Sequence, residues 1–396
     1  MTMKKNVWIP IAMFVVMIFG GMLWSMLTPE QSYSDTENRF LASKPTFSLE
    51  SLFDRKDSYT QKYETYITDQ FPVRDKWIGF KTQVEKLLGK VETKDVFLGK
   101  DDYLIVNHPA SDFEGEQAVK NVEFLAEGLV KYARELGLGH VRMLLVPTAS
   151  QILTDKLPAH AMPYDQSLYV EQVRQLVKEK LAEELEAMSG TWLEDSLVMD
   201  AESILKDHQN EYIYYRTDHH WTTQGAFYVY QAWAKTLGLT PLADPGLKVV
   251  SETFEGTTYS KLHTAGQQDV ISVYEPQTQV TLLHNQMNET TGFYDWSKLD
   301  VRDKYALFLG GNDALLDITK EGVTEPENVL LVVKDSFANC FIPYAAEHYD
   351  RVIVVDLRYL NMPISRVVEE YGVTDLLVLY NVQAAATDKD VYKITR

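Results

Sequence analysis

Val329-Leu330-Leu331-Val332-Val333-Lys334-Asp335-Ser336-Phe337 is the stretch that decides the fold. The apolar, mostly branched run Val329–Val333 is short and has no polar face, so it reads as a strand buried on both sides. Lys334 and Asp335 end it, and Ser336 opens an expected helix, Phe337–His348. Val141–Val146, Ser196–Met199, Val352–Val355 and Leu376–Tyr380 read as further strands. They alternate with helical patterns at Glu116–Leu136, Tyr164–Met188, Ala201–Lys206, Thr223–Leu237 and Ile364–Tyr371. Apolar strands separated by helices predict an α/β domain, residues 112–396, with a mostly parallel sheet covered on both faces. Residues 246–309 break the alternation. There Val249–Phe254, Val270–Tyr274, Gln279–His284 and Tyr305–Leu309 predict a β-rich insertion beside the main sheet.

The strand–turn–helix setting of Ser336 is what a nucleophile elbow requires, with the hydroxyl clear at the carboxyl end of the sheet. A helix starting there would offer free N–H groups to an oxyanion. The plainer reading is that Ser336 is a helix cap. More than a hundred positions earlier stands Thr217-Asp218-His219-His220-Trp221. An Asp two residues before a His can reach its Nδ1, fix the tautomer and support an imidazolium. Ser336, His220 and Asp218 therefore propose a Ser-His-Asp acyl-transfer site. Trp221 reads as a packing residue that holds the loop. Asp218, His219 and His220 also raise a metal site, but neighbouring residues rarely converge on one ion, so no metal is expected. Gly310-Gly311-Asn312-Asp313 offers close backbone approach at Gly311 and an amide donor at Asn312, against the reading of an ordinary turn. Arg358 ends another strand and is either a substrate contact or half of a structural ion pair. Thr148 and Ser150 are weaker candidates at the same sheet edge. Cys340, the only cysteine, reads as a small buried hydrophobe and rules out an intramolecular disulfide.

The chain has 396 residues, 45% hydrophobic and 12% aromatic, enough for one large domain with appendages. A formal net charge of −19 argues against nucleic acid as a partner, because neutralising phosphates needs clustered Lys and Arg. Lys4 and Lys5 precede an uncharged apolar run, Asn6–Leu27. Roughly 20 such residues span a bilayer. Residues 1–5 are thus expected to be a cytoplasmic tail and 6–27 a single membrane anchor, with everything after it outside. A cleaved signal peptide is the rival. The length of the run and the absence of a small-x-small site after Trp24 favour the anchor. Residues 28–111 then form a stalk and connecting segment. It holds expected helices at Ser48–Asp54, Ser58–Ile67 and Lys76–Leu88, and a hairpin across Asp95–Ile105.

Asp218-His219-His220-Trp221 is also the signature that names the DHHW family of bacterial envelope proteins. The chain resembles that family further at Glu37-Asn38-Arg39, Asp69-Gln70-Phe71-Pro72-Val73-Arg74-Asp75, Gly310-Gly311-Asn312, Lys334-Asp335-Ser336-Phe337 and Val355-Asp356-Leu357-Arg358-Tyr359. The family looks like a branch of the SGNH-hydrolase-like proteins related to the alginate O-acetyltransferases. There an Asp-x-His-Trp motif precedes the nucleophilic Ser, a permuted order relative to ordinary SGNH esterases. The resemblance implies a three-layer α/β/α fold, Ser336 as nucleophile, His220 as base and Asp218 as its orienting partner. Asn312 would match the oxyanion-hole Asn, and His219 would be dispensable. Lys-Asp-Ser-Phe stands where ordinary esterases have Gly-Asp-Ser, which affects the oxyanion hole more than the triad.

The expected function is a membrane-anchored extracytoplasmic O-acetyltransferase or acetylesterase acting on a cell-surface polysaccharide, without a cofactor. The resemblance implies a membrane-bound O-acyltransferase as the partner that delivers acetyl groups. The alternative is a non-catalytic envelope protein that binds glycan or scaffolds a complex on the same fold.

Overall fold

The expected strand Val329–Val333 extends one residue further, to Lys334, and all six residues are buried. The computed structural model describes residues 8–34, 36–37, 39–53, 58–182, 197–264 and 266–396. The chain divides into two units, Met1–Gly89 with Ser260–Ala265, and Lys90–Tyr259 with Gly266–Arg396.

The second unit is built on an eight-stranded sheet. Its strands are β1 (Val141–Val146), β2 (Val198–Met199), β3 (Val280–His284), β4 (Asn288–Thr291), β5 (Leu315–Lys320), β6 (Val329–Lys334), β7 (Arg351–Val355) and β8 (Asp375–Asn381). The spatial order is β4-β3-β5-β7-β6-β8-β1-β2. From β7 to β2 all neighbours are parallel. β5, β3 and β4 add an antiparallel edge. Side-chain alternation in a strand sends successive residues to opposite faces. Leu330 and Val332 accordingly join one apolar core with Leu377, Leu379 and Trp233. Val329, Leu331 and Val333 join the other, with Leu125, Val173 and Val367. Helix Thr223–Thr236 lies on the first face. Helices Glu116–Leu136, Ser167–Lys180 and Ile364–Tyr371 lie on the second, giving the mixed α/β architecture expected.

Three local expectations are corrected. Phe337–His348 is not one helix: a 3-10 turn at Ser336–Cys340, a four-residue α-turn at Ile342–Ala345 and a second 3-10 turn follow one another. Asp335 caps the first turn by accepting from Phe337 N, and Pro343 begins a separate one. A piece this short carries no helix dipole of consequence at Ser336. Tyr305–Leu309 is not a strand, because Lys304–Leu307 closes into a 3-10 turn and only Phe308 bridges to Tyr294. The helix expected at Tyr164–Met188 spans Ser167–Lys180, while residues 183–188 lie outside those described. Within the insertion, Leu247–Phe254 and Asp269–Tyr274 form their own antiparallel pair, while β3 joins the main sheet.

In the first unit, Trp8–Leu27 is a helix long and apolar enough to cross a membrane, with none of its residues buried. Helices Tyr59–Asp69 and Arg74–Leu87 follow. Arg39 forks onto Asp69 at 2.9 and 2.6 Å and reaches Glu37 at 2.7 Å, and Arg74 reaches the same Glu37 at 2.6 Å. The Glu37…Arg39 and Asp69…Arg74 stretches are thus two halves of one ion-pair network. Asn38, between Glu37 and Arg39, lies outside the described residues.

Candidate active site

Buried hydrogen bonds fasten the motif loop and tie it to the Ser336 turn. The loop folds back on itself, with Tyr214 bridging Trp221 and Tyr215 N bonded to His220 O. Asp269, at the start of the insertion's second strand, fastens its near end. Its carboxylate accepts from Arg216 N (2.8 Å), Thr217 N (2.7 Å), Thr217 Oγ1 (2.6 Å) and Tyr212 OH (2.5 Å). Trp221, fully buried, then donates Nε1–H to Phe337 O at 2.8 Å, which ties the loop to the residue after Ser336.

Ser336, His220 and Asp218 meet in a hydrogen-bonded row. Ser336 Oγ lies 2.7 Å from His220 Nε2, and His220 Nδ1 lies 2.5 Å from Asp218 Oδ1. An ionised carboxylate only accepts, so Nδ1 carries the proton and Nε2 is left as the acceptor facing the serine hydroxyl. His220 is 4% exposed and Asp218 3%. From Leu331 to Cys340, every residue but Ser336 is buried, so the row reaches the partly exposed residue of this stretch at Ser336. Asp218 Oδ2 is held by Thr257 N at 2.8 Å and Thr257 Oγ1 at 2.9 Å. Burial pushes the Asp218 carboxyl up, but His220, His219 and the Thr257 N–H outweigh it and hold it well below the usual carboxylate range.

That depression has a sign that can be checked. A carboxyl lowered in the folded state stabilises the fold above its ordinary value and loses that contribution as pH falls. The difference in melting temperature between wild type and Asp218→Asn should be widest above about pH 5 and narrow steadily below about pH 4. Thermal unfolding across that range measures it, and a gap independent of pH would contradict the assignment.

The row has a lid on one side. The Tyr305 ring stacks on His220 with centroids 3.8 Å apart and planes at 10°. Its hydroxyl donates to Ser336 O at 3.1 Å. An imidazolium formed at His220 would sit against the electron-rich face of that ring. Sequence reasoning missed Tyr305 because it treated Tyr305–Leu309 as a strand. It also missed Thr257 and Asp269, and Gly256, whose Cα packs against Asp218 too closely for a Cβ; all lie far from the motif in sequence and carry no local signal.

The remaining candidates divide. Phe337 N–H and Ala338 N–H are both committed to Asp335, at 2.9 and 3.3 Å. Ser336 N–H has no hydrogen-bond partner among the described residues. Asn312 sits beside the turn, its Oδ1 accepting from Lys334 Nζ at 2.5 Å and from Asn339 Nδ2 at 3.3 Å. Gly311 has a φ of +117°, and its N–H is spent on Phe308 O. Arg358 is clamped by Asp356 through Nε at 2.8 Å and a second nitrogen at 2.5 Å, which is the structural ion pair. Thr148 and Ser150 bond one another and Gln166 in a separate buried cluster. Burial pushes the Cys340 thiol up to about 12, which leaves it unreactive. Asp218, His219 and His220 offer ligand atoms within 4.8 Å of one another. His220 Nδ1 and Asp218 Oδ1 are engaged with each other, however, and His219 Nδ1 with Thr257 Oγ1 at 2.7 Å.

The DHHW protein family matches residues 199–355, a segment that contains Asp218, His220 and Ser336. A DHHW family protein from Eubacterium siraeum superposes with a TM-score of 0.54 at 21% identity, covering 76% of this chain and 97% of its own. Bacillus cereus PatB1 carrying a sulfonyl adduct superposes with a TM-score of 0.53 at 18% identity, covering 77% and 100%. At these identities the likeness is one of fold. The O-acetyltransferase domain of Pseudomonas putida AlgJ aligns at 14% identity over 76% of this chain and 98% of its own, with a TM-score of 0.39. No curated protein matches the chain.

Proposed function

We propose that this DHHW protein is an O-acetyltransferase or acetylesterase working through an acyl-enzyme on Ser336. The observation that carries the reading is the Ser336–His220–Asp218 row, with Nε2 facing the hydroxyl at 2.7 Å. His220 Nε2 takes the Ser336 proton as Oγ bonds to the acetyl carbonyl carbon. The resulting oxyanion is met by Ser336 N–H and by the Asn312 amide. Collapse breaks the bond to the leaving group, which receives the proton from His220, and acetyl-Ser336 remains. An acceptor hydroxyl then gives its proton to His220 as its oxygen attacks the ester carbon; the Oγ–acyl bond breaks, His220 returns the proton to Ser336 Oγ, and the acetylated acceptor leaves.

The acceptor class, a cell-surface polysaccharide, and a membrane-bound acyltransferase as donor partner follow from the family resemblance. The apolar helix Trp8–Leu27 supports a single-pass anchor with the α/β unit outside the cell. PatB1, which shares the fold, has been obtained with a sulfonyl adduct, so a sulfonyl reagent is a natural probe for Ser336.

The test is to incubate the full chain in detergent with p-nitrophenyl acetate, with and without neutral oligosaccharides, and to analyse products by mass spectrometry. Acetylated sugar identifies a transferase and free acetate alone an esterase. Neither product from folded protein would count against the enzyme reading, and loss of activity with a chelator would move it toward a metal site at Asp218, His219 and His220.

A further inference from the structure

Lys334 is the last residue of β6, two positions before Ser336, and only 1% exposed. Burying an ammonium costs several kcal/mol after relaxation, roughly, unless a charge partner and good hydrogen bonds offset it. Lys334 has no ion pair among the described residues. Asp356, Asp335 and Asp313 favour its charge through space, but each makes its hydrogen bonds to other groups. Asp356 clamps Arg358, Asp335 holds Asn381 and Phe337 N, and Asp313 holds His284 and Asn285. Instead Nζ donates to two amide oxygens, Asn312 Oδ1 at 2.5 Å and Asn339 Oδ1 at 2.8 Å. Asn339 returns its own Nδ2 to Gly311 O and Asn312 Oδ1, both at 3.3 Å. Burial pulls the Lys334 ammonium down to about 8, which still leaves it charged at neutral pH.

We propose that Lys334 is a positioning residue that fixes and polarises the Asn312 amide as the second oxyanion donor. An ammonium donates and never accepts, so only the oxygen of the Asn312 amide can face it. The Nδ2 end is thereby turned away from Lys334, and it has no hydrogen-bond partner among the described residues. A cation on the amide oxygen also draws electron density from the nitrogen and strengthens its N–H groups as donors. Gly310 and Gly311, with φ of +74° and +117°, give the loop the turn that brings Asn312 onto Lys334 and onto Asn339 of the Ser336–Cys340 turn. An apolar residue at 334 would be cheaper to bury. The nearby carboxylates offset only part of that cost, which is consistent with a cation kept for what it does to Asn312. This inference rests on the acyl-enzyme reading above.

The test is a double-mutant cycle in the full chain with Lys334→Met, Asn312→Ala and both together, measured as kcat and KM with p-nitrophenyl acetate. Each single variant should lower kcat by about 10²-fold with KM changed much less, as expected for loss of one oxyanion donor. The double variant should match Asn312→Ala, because Lys334 acts through the residue already removed. Multiplying effects, or wild-type kcat in Lys334→Met, would overturn the proposal while leaving the acyl-enzyme reading intact. A wild-type chain that neither turns over nor forms an adduct would overturn both. If Lys334→Met does not fold, Asn312→Asp serves instead. Its carboxylate keeps the ammonium paired but supplies no donor, so kcat should fall as for Asn312→Ala with the melting temperature held or raised. Wild-type kcat in Asn312→Asp would overturn the proposal.

Discussion

Ser336→Ala and His220→Ala should each lower kcat/KM for acetyl transfer by about 10⁴- to 10⁶-fold, and the double variant should lose little more. The non-additivity is the informative part. His220 Nε2 and Ser336 Oγ face each other at 2.7 Å, so either is without its task once the other is gone. Folding should be little affected, because Ser336 is only half-buried and Trp221 and Asp269 fasten the loop independently of it. His219→Ala provides the contrast. That side chain contacts Thr257 Oγ1 and is partly exposed, so activity should stay within about threefold of wild type, in the range of a modest local perturbation. Initial rates with p-nitrophenyl acetate on the variants decide the matter. Additive losses, or a fully active His220→Ala, would place the chemistry elsewhere.

Gly256→Ala should damage both activity and stability from outside the row itself. A Cβ at that position would lie 2.3 Å from Asp218 Cβ and 2.4 Å from Asp218 Oδ2. Either the carboxylate or the Gly256–Thr257 turn must shift. Both responses weaken the bonds from Thr257 N and Oγ1 that aim Asp218 at His220. A misplacement of this kind is expected to cost about 10²-fold in kcat. Overpacking should also lower stability by about 1–3 kcal/mol. Kinetics and thermal unfolding of the one variant separate the two effects. Unchanged kcat would show that Asp218 does not need its second clamp.

The parts of this fold that could be read from the sequence are those set by local pattern. Val329–Val333 reads as a doubly buried strand because no polar residue interrupts it, and Glu116–Leu136 reads as a helix because its apolar stripe ends at Gly137. Asp218 and His220 are legible together because their contact spans two residues, and Ser336 because a strand ends two residues before it. What escaped depends on partners distant in the chain. Asp269 anchors the loop from more than fifty residues away in sequence. Tyr305 covers His220 from a 3-10 turn whose apolar composition imitates a strand. β4, Asn288–Thr291, is wholly exposed and polar, so nothing but its pairing with β3 makes it a strand. β5 mixes Asp317 into an apolar run because Arg351 on β7 neutralises it across the pair. The helix expected after Ser336 gave way to short turns because Asp335 caps the first of them and Pro343 starts another.

The most direct test of the account is to react the folded full chain with a fluorophosphonate or sulfonyl reagent and locate the adduct by peptide mass spectrometry. The account predicts one covalent modification on Ser336, formed much faster than in His220→Ala and absent from Ser336→Ala. Folded protein that carries no adduct, or carries it on another residue with Ser336 unmodified, would contradict it.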